Sequence, residues 1–416
     1  MRTLLPILLT LSALAQTPPP GFLSKGNRTL FPIGIYELPK TDADLKRMAD
    51  SGINLVCTRS KADLDRAAAA GMLGWVPVPM QLGDDANGAL RKAVDAVKNH
   101  PALAVWEGPD EIVWGFTAYS GLVRNGTFKT RDEWSRQTPH AIEYSEAQAA
   151  AIMPKLREGA RLIRRLDPRK RPLWINEAAE SDMKFIRQYI DGIDITGLDV
   201  YPVHAVPRET VAATAAYTDR YRSIGRGRPV WMVLQAFAWG SLNEFTPEPI
   251  TYPTFAETRL MAYASLTHGA RGLLYWGSFY VPADSLFRQS IYAMTSELAA
   301  LQPFLVAPEE KAVRVKLTES RGRAQADDHG VSCLARRSGA DSLLVLANED
   351  NHPHMGVEAS GLTSLNGRKL VELYGGETAT IEQGGFVTRL MPYQVKVFST
   401  SRKYETARRA GRDFTR

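Results

Sequence analysis

Apolar residues recur along most of the chain in short continuous runs, each followed by a stretch with helical spacing. The runs Phe31–Glu37, Ile53–Thr58, Trp75–Pro79, Ala102–Trp106, Pro172–Asn176, Ile195–Tyr201, Val230–Gln235 and Gly272–Trp276 predict eight strands. Continuous rather than alternating apolar character is what parallel strands covered on both faces require. Between and after them, helices are predicted over residues 41–52, 62–70, 89–99, 145–166, 182–190, 209–224, 255–267 and 286–301. Eight strand–helix pairs within residues 31–303 give an α/β fold with the count and length of a TIM (β/α)8 barrel. Residues 112–140 lack clear periodicity and predict a long loop at the tip of the fourth strand. Beyond Pro303 the period changes. Short strands at 313–317, 331–336, 342–347, 356–359, 369–373, 379–383 and 394–398 predict a small all-β sandwich over residues 311–400.

At 416 residues, one large and one small domain fit the length. The hydrophobic content of 44% and charged content of 23% are those of a soluble globular protein. The net charge of +6 is concentrated at the ends: residues 402–416 carry +4 and Arg2 adds one. The remainder is close to neutral, so no basic face points to nucleic acid. The tail, residues 401–416, is expected to be a solvated end. At the other end, Arg2, the apolar run Leu4–Leu14 and Ala13-Leu14-Ala15 predict a signal peptide over residues 1–15 and a secreted or periplasmic protein. A proline-rich linker is expected over residues 16–30. The apolar run is too short to span a bilayer, and no later stretch is long enough. The two cysteines, Cys57 and Cys333, read as unrelated core thiols. No Cys/His spacing suggests zinc, and no metal or organic cofactor is expected.

The chemistry-bearing residues gather at the predicted C-terminal tips of the strands, where barrel enzymes keep their active sites. These tips hold Tyr36-Glu37, Thr58-Arg59, Glu107 to Glu111, Asn176-Glu177, Asp199 to Tyr201, Gln235 to Trp239 and Trp276 to Tyr280. Flat aromatic faces stack on sugar C–H groups, and carboxylates and amides fork onto hydroxyls, so the mixture suits a carbohydrate. Asp110 and Glu111 are the catalytic candidates. Tyr36, Arg59, Glu107, Glu177, Asp199, Tyr201, Gln235, Trp239 and Trp276 are the substrate-binding candidates. Structural roles compete for some of them. Asp110 can cap a turn, Glu107 can pair with Arg59, and Asp199 can bond to backbone. Trp106, Trp174 and Trp231 read as packing residues.

On these residues the chain resembles the clan A retaining glycoside hydrolases, in a secreted bacterial form with a C-terminal β-sandwich. The resemblance rests on Arg59 at the second strand, Glu111 at the fourth, Tyr201 in Asp-Val-Tyr-Pro at the sixth, and Trp276 in Tyr-Trp-Gly at the eighth. It implies an O-glycosyl hydrolase acting on an oligo- or polysaccharide, with Glu111 as the acid. Two positions depart from the pattern. Asp110 stands where the clan keeps asparagine, and Gln235 stands where it keeps its strand-seven nucleophile. An amide does not form a glycosyl ester, so the expectation is an inverting or a substrate-assisted reaction. For inversion, Glu177, Glu37 or Asp199 is the candidate base; for substrate assistance, Asp110 orients an N-acetyl group. The alternative is a carbohydrate-binding barrel without catalysis. Oligomeric state is left open.

Overall fold

The computed structural model describes residues 18–83, 88–205, 211–242, 248–318 and 330–406. The predicted signal peptide and residues 407–416 of the predicted tail lie outside these. A short antiparallel hairpin, β1 (Leu23–Lys25) and β2 (Arg28–Leu30), comes first. Eight parallel strands follow: β3 (Ile33–Ile35), β4 (Leu55–Cys57), β5 (Leu73–Pro77), β6 (Leu103–Glu107), β7 (Leu173–Ala178), β8 (Ile195–Val200), β9 (Val230–Gln235) and β10 (Gly272–Trp276). They close into a barrel in chain order, with β10 pairing back onto β3. The helices are α1 (Asp42–Asp50), α2 (Lys61–Ala69), α3 (Ala89–Val97), α4 (Ile112–Thr117), α5 (Gly121–Arg124), α6 (Pro139–Leu166), α7 (Met183–Tyr189), α8 (Ala213–Gly225), α9 (Phe255–Thr267), α10 (Leu286–Ala300) and α11 (Gln302–Leu305). The sandwich pairs a three-stranded sheet, β11 (Arg314–Leu317), β14 (His354–Ser360) and β17 (Phe386–Leu390), with a five-stranded one. The latter runs β12 (Val331–Ser338), β13 (Asp341–Asn348), β18 (Val395–Ser399), β15 (Lys369–Glu372) and β16 (Thr378–Thr380).

The barrel is plugged by tryptophan. Trp75, Trp174 and Trp231 are fully buried, with ring centroids 6.3 Å and 5.4 Å apart in sequence order. Gly197 in β8 is what admits Trp174, since a Cβ there would lie 2.6 Å from the indole ring. Burying each indole removes 150–250 Å2 of mostly apolar surface from water, which stabilises by several kcal/mol at ~25 cal/mol per Å2. The bottom of the barrel is closed by the hairpin: Leu23 joins this cluster and the Gly21 carbonyl accepts from Trp231 Nε1 at 2.9 Å. Residues 23–30 were expected in a linker, and three-residue strands are too short to show a period.

Three further expectations change. The stretch 112–140 holds α4, α5 and the start of α6, where a loop was predicted. Its helices are short, and Pro139 at the first turn of α6 sets the start earlier than Ser145. β17 was not anticipated, although Phe386, Thr388 and Leu390 alternate inward. The tail is not solvated from its start: Tyr404 is buried, packs on Phe304 at 4.6 Å, and donates to Asp341. Cys57 and Cys333 are not joined in a disulfide. No helix among the described residues is long and apolar enough to cross a membrane.

The two domains are joined through a buried ion pair. Arg259 on α9 forks onto Glu297 on α10 at 2.7 Å and donates to the Val395 carbonyl on β18. Tyr263 donates to the same carboxylate at 2.7 Å.

Candidate active site

The site is built at the C-terminal ends of β6, β7 and β8. β6 ends at Glu107, and Gly108-Pro109 then turns the chain across β7. Gly108 allows the close approach, because a Cβ there would lie 2.5 Å from Ile175. The ladder to β7 continues through the turn, with the Gly108 amide on the Trp174 carbonyl and the Glu111 amide on the Asn176 carbonyl at 2.9 Å. Glu111 is the N-cap of α4 and sits at φ 46°, ψ 41°. A left-handed conformation costs a non-glycine residue about 1–2 kcal/mol, so the surrounding bonds must hold it there. Its side chain makes no cap bond.

That side chain instead hydrogen-bonds Asp199, at the end of β8. Asp199 is buried and also accepts from the Tyr201 hydroxyl at 3.1 Å. Two carboxyls in hydrogen-bond contact must share a proton, because like charges so close cannot both ionise. Burial raises both: Glu111 is pushed up to about 7 by burial and then by the charge of Asp110, against the lowering effect of its bond to Asp199. Asp199 is pushed well above the usual carboxylate range by burial and then by Glu111. The more deeply buried Asp199 is the better keeper of the shared proton.

Asp110 lies beside the pair and accepts from Asn176 Nδ2 at 2.9 Å. Burial raises its carboxyl, and the bond from Asn176 favours the ionised form. Glu107 lies below, buried, with Tyr36 donating to one oxygen at 3.0 Å and Trp75 Nε1 to the other at 2.9 Å. Burial pushes it up to about 8, so it is largely neutral at pH 7. The structural alternative for Glu107, a pairing with Arg59, gives way to these two donors. Arg59 is exposed and acts on Glu107 only as a charge at longer range.

An aromatic wall stands beside the acids. Tyr201 stacks on Trp276 at 5.5 Å and 25°, and Phe237 meets both edge-on at 5.0 and 5.1 Å. Trp239 donates to the Tyr201 carbonyl at 3.0 Å and stacks on His204 at 4.8 Å. Phe279 and Tyr280 continue the wall from Trp276 and are exposed.

Three predicted residues are elsewhere. Gln235 is fully buried, and its amide is spent on backbone: Oε1 accepts from the Val203 amide at 2.9 Å, and Nε2 donates to the Val203 and Phe237 carbonyls. It pins the loop after β8 to the end of β9. Glu177 is also buried, facing away from the mouth toward α7, where Tyr189 and Ser181 donate to it at 2.9 Å. Glu37 pairs with Arg288 and accepts from Ser278 at 2.6 Å. Gln235 and Glu177 therefore have their side chains committed inside the fold, and Glu37 has one oxygen committed to Arg288 and Ser278. Asn176 and Trp75 are not among the expected substrate-binding residues, although Asn176, a polar residue ending an apolar run, stands among the strand tips. Among the described residues, no group of three or more His, Cys, Asp or Glu has a metal-holding arrangement.

No family model and no curated protein matches the sequence. Solved structures do match in fold. A catalytic mutant of a GH42 β-galactosidase from G. stearothermophilus aligns at TM-score 0.55 and 11% identity, covering 92% of this chain and 99% of that one. The cold-adapted β-galactosidase from Rahnella sp. R3 aligns at TM-score 0.55 and 10% identity, covering 92% of this chain and all of that one, 100%. This chain spans 60% of the length of a β-galactosidase from the psychrophilic Marinomonas ef1, at TM-score 0.45 and 14% identity. At such identities the likeness is one of fold: a TIM barrel followed by a β-sandwich, as glycoside hydrolases carry it.

Proposed function

We propose that the protein hydrolyses O-glycosidic bonds in an oligo- or polysaccharide, with Glu111 as general acid. The observation that carries this reading is the Glu111–Asp199 carboxyl pair, set at the barrel mouth against the Tyr201–Trp276 wall. Bond cleavage needs a proton on the departing oxygen, and a carboxyl raised to about 7 holds one near neutrality. Glu111 gives its proton to the leaving oxygen, and the proton kept by Asp199 then bridges the two carboxyls. The pair is left with a single negative charge and takes one proton back to reset. A sugar ring on the aromatic wall presents its C–H face to Trp276 and its hydroxyls to Asp110 and the acid pair.

Asp110 orients the attacking group. Gln235 is locked into backbone pairing, which argues against a protein nucleophile at the end of β9. Attack then comes from water, with inversion, or from an acetamido oxygen of the substrate, with retention. The anomeric configuration of the first product separates the two. The glycoside hydrolase fold of the solved neighbours supports the reaction class.

The test is a screen of the purified protein against aryl glycosides and polysaccharides, with Glu111→Gln alongside. Release of reducing ends by the wild type alone is the expected result. Sugar binding without turnover by either protein would instead mark a binding barrel.

A further inference from the structure

We propose that Glu177 is a positioning residue: it caps α4 in place of Glu111 and so frees the Glu111 carboxyl for Asp199. The inference rests on the proposed role of Glu111. An N-cap side chain ordinarily accepts the amide of the second or third helical residue. Glu111 holds that position and makes no such bond. The amide of Val113, the second residue of α4, is instead taken by both oxygens of Glu177 at 3.1 Å. The cap therefore comes from the neighbouring strand. Glu177 is itself fixed by the Tyr189 hydroxyl on α7 and by Ser181, both at 2.9 Å. Its one-residue neighbour, Asn176, completes the cradle with its side chain on Asp110 and its carbonyl on the Glu111 amide. The end of β7 thus holds residues 110, 111 and 113 at once, while Glu177, 1% exposed, touches no substrate.

Without this cap, the Glu111 carboxyl, at the N-cap position, is free to accept the amides of α4. Turning inward, it would exchange its bond to Asp199 for bonds to those amides, and amide donors at a helix N-terminus hold a carboxylate lower. The groups that set its titration are Asp110 on its own loop and Asp199 on β8, to which Tyr201 donates.

The test compares Glu177→Ala and Glu177→Gln in the full chain by two readouts. One is the pH titration of intrinsic fluorescence, which reports the acid pair through Tyr201 and Trp276 without any substrate. The other is kcat and KM on the best aryl glycoside. In Glu177→Ala the midpoint is expected to fall, with kcat down by about a hundredfold and KM within about twofold, the scale of a misplaced catalytic group. Glu177→Gln, which keeps an acceptor for Val113, is expected to restore both. A wild-type midpoint and kcat in Glu177→Ala, or a Glu177→Gln as impaired as the alanine variant, would overturn the proposal. If Glu177→Ala does not fold, Ser181→Ala and Tyr189→Phe each remove one donor to Glu177. Smaller shifts of the same sign are expected, and unshifted titrations in both would overturn it. A wild type inactive on every glycoside would count against the hydrolase reading alone, because the fluorescence midpoint still decides the role of Glu177.

Discussion

The ends of β6 and β9 differ in a way that separates chemistry from architecture. At the end of β6, Glu111 is half-buried, sits in a strained backbone conformation, and spends its side chain on another carboxyl. At the end of β9, Gln235 is fully buried, and its amide makes three bonds to main chain. One group keeps proton chemistry available at the mouth. The other has none to spare. A tip residue's role is set by how many of its donors and acceptors the fold has already used.

The widest separation between the two ends is expected from removing each function. Glu111→Gln should lower kcat/KM by about 10^2- to 10^4-fold, the range for lost general acid catalysis, while the melting temperature holds. Gln235→Glu sharpens the contrast. If β9 carried a dormant nucleophile position, this variant would gain a glycosyl-enzyme intermediate. The bonding predicts no intermediate by mass spectrometry and a loss of about 1–3 kcal/mol in denaturant unfolding, because two carbonyls lose their donor. A third variant probes the charge around the acid. Activity should fall as pH rises through about 7, where Glu111 loses its proton. Asp110→Asn removes a charge that raises Glu111, so this alkaline limb should move to lower pH in pH–rate profiles. Trp276→Ala, at the wall, should raise KM by about 2- to 10-fold with a smaller change in kcat.

A further effect is on stability. Glu177 is pushed up from 4.5 to about 8 by burial, so the folded state binds the extra proton between those values. Its contribution is present below about 4.5 and is lost as pH rises through about 8. Melting temperature should therefore decline over this window in the wild type, and less steeply in Glu177→Gln.

The barrel was legible because strands buried on both faces are written as continuous apolar runs, and caps such as Thr41 and Thr254 mark helix starts. Asp110, Glu111, Tyr201 and Trp276 were legible as tip residues for the same reason. What the residues at the tips do was less so. Glu177 and Asn176 are adjacent in sequence, yet one faces α7 and the other the mouth, and that choice is fixed by Tyr189, Ser181 and Asp110 from three other segments. Gln235 reads as a substituted nucleophile until Val203, 32 residues away, is placed against it. The Glu111–Asp199 pair joins β6 to β8 across the barrel mouth, and no local spacing encodes such a contact.

The most direct test of Glu111 as proton donor is the leaving-group dependence of Glu111→Gln on a series of aryl glycosides. A dinitrophenolate departs without a proton, whereas a phenolate or a sugar alkoxide needs one. The account predicts that glycosylic cleavage in the variant survives best with dinitrophenyl and collapses as the leaving group becomes more basic, while the wild type stays nearly flat. Equal loss across the whole series would contradict it and give Glu111 a role in binding or folding instead.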